Sequence, residues 1–142
     1  MSIVGTLRAY LAEFEGLDFV LTDVTLGAGT YALSQSAGGI VKRDVLGNAT
    51  YQNSYLFLAK QNGGSEVDRQ DNYEFLESFC EWLEERNERK DLPNLSPPYS
   101  PVSLEVSNIT LMGVEESGET TYQVQIQFIY KKIYEVKNKW LT

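Results

Sequence analysis

Thr120-Thr121-Tyr122-Gln123-Val124-Gln125-Ile126-Gln127-Phe128-Ile129-Tyr130-Lys131 is the stretch on which the fold turns. Large apolar and aromatic residues hold every even position from Tyr122 to Tyr130, and Thr121, Gln123, Gln125 and Gln127 stand between them. Side chains alternate across a strand, so this pattern predicts a strand packed on one face and wet, or touching a partner, on the other. Val102 to Val114 reads as a second strand before it, with Glu115-Glu116-Ser117-Gly118-Glu119 as the acidic turn between the two.

Upstream, Asp91 to Pro101 holds all four prolines (Pro93, Pro97, Pro98 and Pro101), which predicts an extended connector. Before it comes a helical pattern. Leu76, Phe79, Cys80 and Leu83 make an apolar stripe, with glutamates from Glu74 to Glu88 opposite. Asp71 and Glu74 have capping-box spacing, so the helix is expected to start at Asp71, after a polar loop over 61–69. Arg86, Arg89 and Lys90 suit its C-terminal end.

The first half of the chain is β-rich. Thr50 to Lys60 alternates, with Tyr51, Tyr55 and Phe57 on one face and Leu56 and Leu58 on the other. Its C-terminal half is expected to be buried on both sides. Ile40 to Leu46 reads as a strand between turns at Ala37-Gly38-Gly39 and Gly47-Asn48. A strand around Tyr31 and Leu33 precedes it, and Leu17 to Leu26 reads as a short strand or extended connection. At the start, Ile3, Val4, Leu7, Tyr10, Leu11 and Phe14 fall at helical spacing, between a Ser2 cap and Gly16, which predicts a helix over 2–15. These elements predict one α+β domain over 1–131, followed by a C-terminal tail over 132–142.

Composition narrows the function. At 142 residues the chain can bury a core without staples. It contains no histidine, which removes the commonest general base and metal ligand near neutral pH. Cys80 is the only cysteine, so no intramolecular disulfide forms. A formal net charge of −8 repels nucleic acid, although it would suit the wall of a passage through which DNA slides. No apolar run approaches the ~20 residues of a membrane-spanning helix, so no membrane partner is expected. No basic, then apolar, leader opens the chain, and the expected setting is the cytoplasm until something incorporates the protein.

Individual motifs read mostly as structure. Gly27-Ala28-Gly29 lacks the remaining residues of a phosphate loop and reads as a bend. The glutamates of the long helix have no histidine beside them and read as a solvated face, with Glu85 and Arg89 as a supporting pair. Cys80 has acidic neighbours that oppose thiolate formation, and reads as a core residue. Asn48-Ala49-Thr50 and Asn108-Ile109-Thr110 match the glycosylation pattern by chance, and Pro97-Pro98-Tyr99 reads as a rigid connector. The expected sites are therefore catalytic none, cofactor-binding none and metal none. The chain reads as a non-enzyme that assembles with copies of itself and with other proteins. In the tail, Lys131, Lys132, Lys137 and Lys139 alternate with Tyr130, Tyr134 and Trp140. That pattern fits a frayed terminus, an arm that embraces a neighbouring subunit, or a contact with nucleic acid.

Three stretches carry a resemblance: Val41-Lys42-Arg43-Asp44-Val45-Leu46-Gly47-Asn48 with the aromatic strand to Ala59, Phe79-Cys80-Glu81-Trp82-Leu83-Glu84-Glu85 running into Leu92-Pro93, and Tyr122 to Tyr130. In that order they resemble the minor capsid proteins of tailed phages and prophages of Gram-positive bacteria, a group similar to the tail terminators of long, non-contractile-tailed phages. The resemblance implies α-β-α-β order, with a mostly antiparallel sheet packed against two helices. It implies a homo-oligomeric ring, commonly a hexamer, that stops growth of the tail tube and meets the head connector. It also implies no enzymatic activity and no cofactor, a place in the virion, and DNA passing without specific binding. The Lys-rich tail beyond Tyr130 is not part of the family pattern. Another head-tail adaptor or head-closure protein, or a monomeric partner-binding regulator, is the alternative.

Overall fold

The computed structural model describes residues 2–133. Ser2 accepts a hydrogen bond from the Gly5 amide and opens helix α1 (Ile3–Leu11), which buries Leu7, Tyr10 and Leu11. Four strands follow: β1 (Leu21–Thr22), β2 (Thr30–Ala37), β3 (Ile40–Arg43) and β4 (Ala49–Asn62). Then come helix α2 (Glu66–Glu88) and the two long strands β5 (Tyr99–Val114) and β6 (Glu119–Lys132). This is the expected α+β class.

The six strands form one sheet in the order β1-β2-β4-β6-β5, with β3 beside β4. Pairing is antiparallel except for the short β1–β2 pair. β6 pairs with β4 along its whole length, from Ala49↔Lys132 to Asn62↔Glu119. The other side of β4 is shared, with β2 against 54–60 and β3 against 49–51. Ala37-Gly38-Gly39 is therefore not the expected turn. The chain runs on in the same direction along β4 through a register slip. Glycine suits this position, because a Cβ on Gly38 would sit 2.5 Å from the Gln35 and Asn53 side-chain ends and would push on the Asn53 amide that holds Tyr55 and Tyr130.

Both helices cover one face of the sheet. Tyr55, Phe57 and Ala59 of β4 and Tyr122, Val124, Ile126, Phe128 and Tyr130 of β6 meet Leu76, Phe79 and Leu83 of α2 in one contiguous core. Phe79 stacks on Phe57 at 4.5 Å between ring centres and meets Phe14 edge-on at 5.4 Å. Two buried amides serve three of the buried tyrosine hydroxyls. Asn53 donates to Tyr55 and Tyr130, and Asn72 donates to Tyr122 and the Asn62 carbonyl. Arg86 ties α2 to the end of α1. It lies over the Trp82 and Tyr10 rings, at 4.4 and 5.2 Å, and pairs with Glu13 at 3.1 Å.

Four other expectations are corrected. α2 starts at Glu66, capped by Ser65, so Asp71 and Glu74 lie within the helix rather than at its start. Leu56 and Leu58 are only half-buried, because no layer of the described residues covers the second face of the sheet. β3 ends at Arg43 rather than Leu46. Glu85 and Arg89 form no ion pair among the described residues, since Arg89 caps the helix with its backbone and Arg86 takes the ionic role. Of the tail, Lys132 and Ile133 are described, while the rest of 132–142 lies outside the described residues.

Candidate assembly surfaces

Two corners of the sheet stand out. The first is the hairpin end formed by β3, the turn 44–48 and the start of β4. A carboxylate builds that turn. Asp44 accepts hydrogen bonds from the amides of Leu46 (2.9 Å) and Asn48 (3.0 Å) and from the Asn48 side chain (2.9 Å). Chiefly through that side-chain bond, its carboxyl is held below the usual aspartate value. The organised turn holds Val45 fully in solvent and leaves Leu46 63% exposed, next to an exposed Val41. Lys42 and Arg43 flank these apolar residues, and the end of β6 adds Lys131 and Lys132 at the same end of the sheet. A groove of about 470 Å³ lies here, lined by Arg43, Tyr51, Pro97, Pro98, Lys132 and Ile133.

The second corner is the far end of β5, the outermost strand. Near its start the edge is covered, since Asn87 accepts from the Leu104 amide and Lys90 donates to the Val102 carbonyl. Beyond that, no strand of the described residues pairs with its outer side. Ser107 to Val114 contains no charge and no proline. Leu111, Met112 and Val114 are about half exposed, at 43%, 54% and 54%. Natural sheets blunt a free edge with charge, proline or bulges, because it templates pairing with another chain. Two register shifts, at Val106/Ile109 and Leu111/Gly113, are the device used here.

The acidic turn beside this edge is partly neutralised. Lys60 pairs with Glu115 at 3.3 Å and Glu119 at 3.6 Å, and the Glu115 hydrogen bond leads the effects that raise its pKa. Glu116 has no ion-pair partner among the described residues. Glu119 also accepts from the Ala28 amide, while the amides of Leu26 and Gly29 go to Thr30 and the Lys60 carbonyl. Ala28 and Gly29 thus spend their amides inside the protein, one of them on a carboxylate, which does not suit a phosphate cradle.

The glutamates of α2 from Glu74 to Glu88 lie on its exposed side, as expected. No group of three or more potential metal-ligating side chains occurs among the described residues. Burial, reinforced by Glu84, Glu77 and Glu81, pushes the Cys80 thiol up to about 11, so it stays protonated near neutral pH. No helix of the described residues is long and apolar enough to cross a membrane. The sequence marks the β-rich stretch 29–60, with its turns at 38–39 and 47–48, as a surface that could project toward a partner, but it does not single out the two corners. Their signal lay in apolar residues that break alternation, Val45-Leu46 and Leu111-Met112. No protein-family model matches the chain, and no curated protein matches it significantly.

Proposed function

We propose that the chain is a structural virion protein of a tailed phage or prophage. In this reading it is a tail terminator or minor capsid protein, and copies of it close into a ring, commonly a hexamer, at the end of the tail tube. The ring stops tube polymerisation and joins the tube to the head connector. One observation carries the reading: two diagonal corners of one sheet each hold a cluster of exposed apolar side chains beside charge. Such corners need protein partners, and two different corners on one chain favour head-to-tail assembly. The net charge of −8 suits a lumen through which DNA moves without sticking.

Light scattering behind size-exclusion chromatography tests the assembly, and capping of purified tail tubes tests the role. The expected result is a species of about six protomers, each of 16.1 kDa, that halts elongation of a tube protein. A protein that binds the connector yet leaves tube growth unchanged is a head-closure adaptor instead. A monomer with no effect on tubes or connector overturns the reading.

A further inference from the structure

We propose that the acidic end of β5 in one copy docks on the basic hairpin end of the next, and that this contact is the repeating joint of the assembly. The joint rests on the self-assembly part of the reading above, not on the role at the tail tube.

Charge complementarity identifies the occupant. In a chain of net charge −8, with only 12 lysines and arginines, Lys42, Arg43, Lys131 and Lys132 collect at one end of the sheet. The opposite end carries Glu115 and Glu116 beside exposed Met112 and Val114. Each corner pairs an apolar patch with an excess of one sign of charge, since Asp44 offsets only part of the basic end and Lys60 only part of the acidic end, and the two excesses are opposite. A second copy of this chain supplies what each corner lacks.

Geometry excludes closure within one molecule. Ala49, beside β3, and Gln61, level with Val114 across β6, mark opposite ends of β4. At ~3.3 Å per residue these ends lie about 40 Å apart. β3 and β5 also lie on opposite sides of β4 and β6, so the corners are diagonal and face away from each other. In this joint the two corners of one chain meet two different copies, one at each corner. The contact is heterologous, and it propagates until a ring closes. Because the corners are offset along the strands, a closed ring built this way holds its strands oblique to the ring axis.

Zero-length amine-to-carboxylate cross-linking of the intact chain tests the joint, read by mass spectrometry of the oligomer. Links between Lys42 and Glu116 are expected, and the span between the corners makes any such link intermolecular. The variants Lys42→Glu and Glu116→Lys should each raise the concentration for half-assembly about tenfold, and the double variant should restore it. Circular dichroism of each variant checks that the fold is kept. An oligomer that forms without Lys42–Glu116 links, or a double variant no better than the singles, overturns this joint and leaves the ring reading standing. The links together with open filaments uphold the joint and count against the ring. A chain that stays monomeric at every concentration overturns the joint.

Discussion

Replacing Arg86 separates packing from charge in the seam between the two helices. Its side chain is 17% exposed, whereas its partners Glu13 and Asp91 are 54% and 56% exposed. Half-exposed ion pairs contribute roughly 0.2–1 kcal/mol each. The guanidinium also lies 4.4 Å from the Trp82 ring centre and 5.2 Å from that of Tyr10. Such contacts contribute roughly 0.5–2 kcal/mol, and the stem adds buried area. Nε is buried without a hydrogen bond, since Asp91 lies 3.6 Å away, so part of the gain is offset. Arg86→Ala should therefore cost about 2–3 kcal/mol. With a urea slope near 2 kcal/mol per molar, that is a midpoint shift of about 1–1.5 M. Arg86→Met keeps a stem over Trp82 and removes the orphaned Nε, and should cost about 1 kcal/mol. The double variant Glu13→Gln/Asp91→Asn should cost no more than about 1 kcal/mol. If that double variant loses as much as Arg86→Ala, the seam is held by charge and the reasoning fails.

Phe79→Ala should lose about 4 kcal/mol, because the fully buried ring contacts Phe57, Phe14 and Trp82, and calorimetry should record a Tm drop of roughly 12 °C. Cys80 should resist a soluble maleimide at pH 7 and react faster as the pH climbs toward its raised value of about 11. The raised value favours the folded state fully below pH 9, the thiol's ordinary value, and that stability is lost between 9 and about 11. Thermal melts against Cys80→Ala should isolate the loss from ionising tyrosines. Asp44→Ala should speed hydrogen exchange of the Leu46 and Asn48 amides while leaving the core amides slow. In the unaltered chain the same release should appear in acid, as the pH falls below 3.8 through the depressed value of that carboxyl.

Much of the fold is legible because its driving pattern is local. The alternation from Tyr122 to Tyr130 is reproduced residue by residue in the burial of β6, and Ser2 caps α1 as its position before Ile3 implies. The start of α2 was obscured because its first turn, Glu66 to Arg69, has Val67 as its only apolar residue and carries no apolar stripe. Asp71 and Glu74 then imitate a cap inside the helix. The reach of β4 to Gln61 and Asn62 is likewise hidden in polar residues, whose strand character comes from pairing with Thr120 and Glu119. β5 begins at Tyr99 and keeps Pro101, which an outermost strand tolerates because its missing N–H interrupts no inner ladder. Leu56 and Leu58 look like core in the sequence, and only the placement of both helices on one face reveals otherwise. The clustering of charge at the two corners was not legible for the same reason. Lys42 and Lys132 are far apart in sequence, and it is the β4–β6 register that brings them to one end.

That register has a consequence for biosynthesis. β4 is complete at Asn62, but its full-length neighbour β6 starts only at Glu119, after α2 and β5. At ~5–20 residues per second, a ribosome needs roughly 3–12 s to supply it. Throughout that interval the longest aromatic strand of the nascent chain has one bare side, next to a hairpin tip already rich in apolar residues. Nascent copies on one polysome present the same bare side to each other, where wrong pairing competes with the right one. Yield in a foreign host should therefore depend on translation speed and chaperone supply more than on the finished protein's stability.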